Sequence, residues 1–94
     1  MSADREAKYE KLRQQLSDLE KWPSVYMFKF IVPADNQKVA QVEALFNTKE
    51  SQVSMRTSKN GNFVAITAKE MMMSPESVIE RYRDAEGIEG LMSL

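Results

Sequence analysis

The side chains that most often do chemistry near neutral pH are absent or scattered in this sequence. There is no histidine, so the commonest proton shuttle is missing. There is no cysteine either, which leaves a zinc site with carboxylates alone and rules out a disulfide or a Cys-x-x-Cys metal loop. A serine nucleophile needs a base. Ser54, Ser58 and Ser93 fall on expected strands with no histidine to activate them, and Ser74 reads as a helix cap. The glycines Gly61, Gly87 and Gly90 are too dispersed for a phosphate-binding loop. Met71, Met72 and Met73 are soft groups suited to copper(I) or to an adaptable contact surface. At the end of a strand, one or two of them are better explained as plugs for the rim of a core. The expectation is a protein with no enzymatic activity, catalytic residue, cofactor or metal, one that acts by binding.

Composition narrows the class of partner. Thirteen Lys and Arg against fourteen Asp and Glu leave a net charge of −1, so no global field draws the chain to nucleic acid or anionic lipid. Charged residues are 29% and hydrophobic ones 43%, ordinary for a soluble protein. The 94 residues suffice for one domain with a single modest core. No apolar run approaches the ~18 residues of a membrane span. The opening MSADREAKYEKL lacks the apolar stretch of a signal peptide, so no membrane contact and a cytoplasmic location are expected.

The element that must position everything else is Ser24–Val32, SVYMFKFIV. It has no Gly or Pro, a single charge at Lys29, and many β-branched and aromatic residues, which suits a central strand. Alternation puts Tyr26, Phe28, Phe30 and Val32 on a core face and Val25, Met27, Lys29 and Ile31 on a more open one. Before it, residues 1–21 read as a helix in which Tyr9, Leu12, Leu16 and Leu19, and then Trp22 beyond its end, keep one stripe that Pro23 ends. The stripe covers only about two heptads, short of the ~3–4 that specify a coiled coil. Packing against the protein's own sheet, or fraying, is expected ahead of a dimer seam, with the globular unit at residues 22–94.

After the strand, Asp35 can cap a helix over residues 36–47 with Val39, Val42, Leu45 and Phe46 inward. Two β-type runs, residues 51–58 and 62–68, flank Lys59-Asn60-Gly61, whose Asn-Gly pair suits a tight primed hairpin turn. Val53, Met55 and Thr57 alternate along the first arm; Val64, Ile66 and Ala68 face the core along the second, with Phe63 as a competitor. Ser74-Pro75-Glu76 starts another helix, with Val78, Ile79 and Tyr82 inward and Gly87 as its C-terminal cap. Residues 91–94 can form a short last strand. The order β-α-β-β-α-β behind a leading helix gives an α+β, ferredoxin-like sandwich with an antiparallel four-stranded sheet whose first and third strands are central.

Trp22-Pro23, Ser58-Lys59-Asn60-Gly61-Asn62-Phe63, Ser74-Pro75-Glu76-Ser77-Val78-Ile79 and Glu89-Gly90-Leu91-Met92-Ser93-Leu94 resemble the YbeD-like family of small bacterial proteins over roughly residues 19–94. The leading charged helix departs from the shortest members, which start near Leu19. The resemblance implies a ferredoxin-like fold similar to ACT-type regulatory domains, which bind small ligands in metabolic enzymes. The family's role is uncharacterised, so it supplies no catalytic residues. ACT-type domains bind amino acids where two modules meet, through the loop after the first strand. The matching positions are Pro33, Ala34, Asp35 and Asn36, where Asp35 could meet an ammonium group or simply cap its helix. Acylphosphatases share the fold type but rely on an arginine in that loop, and none stands here.

Two binding functions follow. In the first, Val25, Met27, Ile31 and Phe63, with Lys29 and Arg56 as polar handles, form an open sheet face that binds a protein partner, a homodimer being expected, or contributes to a metabolite site. In the second, the same face binds RNA. Laid on the third-strand signature of RNA-recognition motifs, Lys59–Ile66 reads K-N-G-N-F-V-A-I, with Gly61 where the first stacking aromatic belongs. Lys59, Arg56 and Lys69 then read as charges that solvate an edge, and nucleic acid is not the expected partner.

Overall fold

The computed structural model describes residues 3–19, 21–47 and 49–94. Helix α1 (Ala3–Leu19) precedes β1 (Ser24–Pro33), α2 (Asn36–Ala44), β2 (Gln52–Thr57), β3 (Phe63–Met72), α3 (Pro75–Ala85) and β4 (Met92–Ser93). The strands form one antiparallel sheet in the order β2-β3-β1-β4, so β1 and β3 are central, as the sequence leads one to expect. This is an α+β fold with a ferredoxin-like arrangement. β1 and β3 pair over ten positions, from Ser24 opposite Met72 to Pro33 opposite Phe63.

The core lies on one face of this sheet. Phe28, Phe30 and Val32 of β1 and Ile66, Ala68 and Met72 of β3 are buried there against Val42, Phe46, Val78, Tyr82 and Ala85 from the helical side. Asp35 caps α2 by accepting the Gln37 N–H at 2.8 Å. Ser74 and Ser77 cap α3 reciprocally, each hydroxyl oxygen accepting the other's N–H, and Pro75 takes the first turn, where no N–H is needed. The helix expected over residues 1–21 is α1, with Met1, Ser2 and Glu20 outside the described residues. It packs on α3, the neighbouring helix: Leu16 is buried in the core, Tyr9 and Leu12 pack against it, and the Trp22 Nε1–H donates to the Leu16 carbonyl at 3.2 Å. Leu19 departs from the stripe and is 80% exposed, because the helix ends as the chain turns toward β1.

Two local readings change, at the hairpin turn and at Gly87, and β2 lies more open than its alternation alone indicates. The hairpin is not closed by a two-residue primed turn. Ser58 pairs with Phe63, and the Gly61 N–H donates to the Ser58 carbonyl at 2.9 Å, so Gly61 (φ +77°) ends a four-residue turn. Val53, Met55 and Thr57 share the core side with Ala68, Ile66 and Val64 by register, yet all three are exposed, since they sit on an edge strand that the helices do not cover. Gly87 does not adopt a left-handed conformation; Glu86 is the C-cap of α3, and the positive φ (+83°) falls at Gly90.

Gly90 also lies against Pro33: a Cβ added there would stand 2.9 Å from Pro33 Cγ. Gly90→Ala is therefore expected to lose about 1–3 kcal/mol in urea unfolding, from backbone strain and the clash together. Gly87→Ala, whose Cβ would meet only the Asp84 carbonyl at 3.6 Å, is the control and should be near neutral. Equal losses at the two sites would contradict this account.

Candidate functional site

The helices leave the second face of the sheet uncovered, and strand register decides what it displays. From β1 come Val25, Met27, Lys29, Ile31 and Pro33; from β3, Phe63, Ala65, Thr67, Lys69 and Met71; from β2, Gln52, Ser54 and Arg56; from β4, Met92. Rows run across the sheet: Arg56, Ala65, Ile31 and Met92 in one, Gln52, Lys69 and Met27 in another, with Val25 beside Met71. Val25, Met27, Phe63, Met71 and Met92 are each about half exposed, and Ile31 is partly covered. The face thus gathers Val25, Met27, Lys29, Ile31, Arg56 and Phe63, the six residues expected on it, and adds Met71 and Met92, not singled out as contacts, and Lys69, expected as a charge that solvates an edge. Their signal was parity. Lys69 and Met71 lie an even number of residues from Phe63, and Met92 is placed by its pairing with Ile31.

No residue that the strands put on this face is acidic, while Lys29, Arg56 and Lys69 bring three cations. None of the three has an ion-pair partner among the described residues. The acids are concentrated on the helical side instead. There, Glu6 meets Arg83 at 2.5 and 2.6 Å, Glu86 meets Arg5 at 3.3 Å, and Glu76 meets Arg13 at 3.5 Å. A net charge of −1 therefore conceals a sheet face that is apolar and positive.

The loop Pro33–Asn36 has a structural occupation. The Ala34 N–H donates to the Asn62 carbonyl at 2.9 Å, Pro33 abuts Gly90, and one Asp35 carboxylate oxygen caps α2. Ala34, Asp35 and Asn36 are exposed. Of the three consecutive methionines, Met72 plugs the core, Met71 joins the open face and Met73 is exposed. Among the described residues no cluster of three or more Asp or Glu could hold a metal ion. No helix of the structure is long and apolar enough to cross a membrane.

A protein-family model described as "Protein of unknown function (DUF493)" matches residues 17–93. The chain belongs to the DUF493 family. YbeD is a member of that family, so the resemblance read from Trp22-Pro23, the hairpin and the Ser74 cap holds at the level of the family. Comparisons with curated proteins and with solved structures give no match. The DUF493 match covers the whole sheet and both of its covering helices and begins within the last turn of α1.

Proposed function

We propose that this DUF493 protein is a non-catalytic interaction module whose open sheet face docks a polypeptide carrying carboxylates among apolar side chains. The observation that carries the reading is the grouping of half-exposed Val25, Met27, Met71, Met92 and Phe63 with Lys29, Arg56 and Lys69 on a face without an acid. Apolar groups collected in this way mark a contact surface, and thioethers suit one that must adapt to its partner. The cations set the partner's charge. A second copy docking face to face would bring six cations together, so an acidic partner ranks ahead of the homodimer. An ACT-like regulatory role would operate through the same contact, with any metabolite entering beside Asp35.

RNA is the second reading, favoured by the three cations and by a strand order shared with RNA-recognition motifs. Phe63 is the only aromatic side chain on the face, so a base-stacking platform is incomplete. A photo-crosslinking residue placed at Met27, with one at Glu80 on the helical side as control, separates the readings. The expected result is a protein adduct from position 27 alone, resistant to nuclease and lost in a Lys29→Glu, Arg56→Glu variant. Nuclease-sensitive adducts, with affinity that falls steeply with salt, would replace this reading by the RNA one. With the partner in hand, Met27→Asp should weaken binding about 10–100-fold, or about 1.4–2.8 kcal/mol. Sedimentation of the chain alone decides the homodimer: a dimer abolished by Met27→Asp would put a second copy on the face.

A further inference from the structure

A second binding element lies at the edge of the sheet, beyond the open-face reading and independent of it. β4 pairs with β1 only at Phe30 and Ile31, with one further bond from the Leu94 N–H to the Lys29 carbonyl at 3.0 Å. β1, however, runs on to Ser24, paired on its other side with β3 throughout. Backbone groups alternate in direction along a strand. Those of Lys29 face β4, so the N–H and C=O of Met27 and Val25 face the same way, past the end of β4. Neither residue has a backbone partner on that side among the described residues.

Beside this bare edge, on the helical side, a cleft of about 1030 Å³ opens between α1, α3 and β4. Its walls include Tyr9, Leu12, Tyr26, Tyr82, Leu91 and Leu94. Tyr26 and Tyr82 share a hydrogen bond at 2.9 Å on its floor. The cleft occupies the place that side chains of a longer β4 would fill.

We infer that the Val25–Phe28 edge accepts an extended segment of a partner polypeptide, antiparallel to β1 and in line with β4, by strand addition. Two backbone pairs, with Val25 and Met27, supply four hydrogen bonds. Residues of the segment opposite Tyr26 and Phe28 point into the cleft and are large and apolar; those opposite Val25 and Met27 lie on the open face. A second copy pairing edge to edge would satisfy the backbone but leave the cleft empty. Its own Tyr26 and Phe28 are already committed to its core.

Amide hydrogen exchange on the 94-residue chain reads the edge directly. In the free protein the Val25 and Met27 amides should exchange fast and the Tyr26 and Phe28 amides slowly; slow exchange at all four overturns the proposal. The probe is an acetylated six-residue peptide of alternating threonine and phenylalanine. At ten times its dissociation constant it should slow exchange at Val25 and Met27 by about tenfold. The same peptide N-methylated at its threonines keeps its side chains but loses the donors aimed at β1, and should not bind. Equal binding of the N-methylated form, protection elsewhere than at Val25 and Met27, or no binding at millimolar peptide would each overturn the inference. Because the change is made in the peptide, the protein's own folding does not enter the comparison.

Discussion

Truncation of Phe28 to alanine is expected to remove about 4 kcal/mol of stability, the largest effect of any single side chain in this fold. The ring is wholly buried at the middle of β1. It meets Tyr26 at 4.7 Å, Phe46 at 5.2 Å, Tyr82 at 5.3 Å and Phe30 at 6.1 Å between centroids, so four aromatic neighbours lose a partner at once. The Arg81 guanidinium lies 5.6 Å from the same ring. Contacts of this kind add about 0.5–1.5 kcal/mol each beyond buried area, and a cavity ringed by other aromatics cannot collapse cheaply. Domains of this size have only about 5–15 kcal/mol in total, so the variant should melt on the order of 15–25 °C lower, if it folds at all. Phe28→Leu keeps most of the volume and should cost clearly less. A loss under about 1 kcal/mol for the alanine variant would show that β1 is not the centre of the core.

Much of this was legible in the sequence, for reasons that differ between elements. The two faces of β1 follow from alternation alone, and the pairing with β3 bears them out residue by residue. Asp35 and the Ser74-Pro75 start act within one turn of their own position, so local chemistry sufficed. The open face was readable on β1 for the same reason, and its basic, acid-free character appears only once register lines up Arg56, Lys69 and Lys29. The exposure of Val53 and Met55 was hidden, because strand pattern gives the side of a sheet and not how far the helices reach across it. Gly90 replaced Gly87 as the left-handed glycine because the chain turns into β4 against Pro33, a contact between residues far apart in sequence. The bare edge of β1 was likewise invisible: it depends on where β4 stops pairing, which composition does not encode.

Glu70 is where that limit matters most for stability. Nothing near it in sequence suggests a partner, yet the fold brings Arg81 to it in a two-pronged contact, 3.0 Å to each carboxylate oxygen, and adds the Ser51 hydroxyl at 2.6 Å. Both side chains are largely enclosed, and Arg81 also lies 4.9 Å over the Phe46 ring. Removing one partner strands a desolvated charge, which costs more than the pair contributes net. Glu70→Ala is therefore expected to lose about 2–3 kcal/mol near pH 7, and Arg81→Ala a similar amount, with the double variant well short of the sum. The pH dependence has a definite sign. The hydrogen bonds from Arg81, and then from Ser51, hold the Glu70 carboxyl below the ordinary value of 4.5 against the opposing effect of burial. Its contribution is thus complete above about pH 4.5 and fades as the pH falls through the lower folded-state value, where the folded protein takes up the proton. The gap in stability between the parent and Glu70→Gln should be widest near neutrality and close in acid. The exposed Glu6–Arg83 pair is the counterexample on the same molecule. It has similar geometry, but solvent screens it, and Glu6→Gln should shift the unfolding midpoint far less than Glu70→Gln. Denaturant unfolding of these variants across pH 3–7 makes the comparison, and a gap at Glu70 that did not change with pH would mean that the carboxylate's charge contributes nothing there.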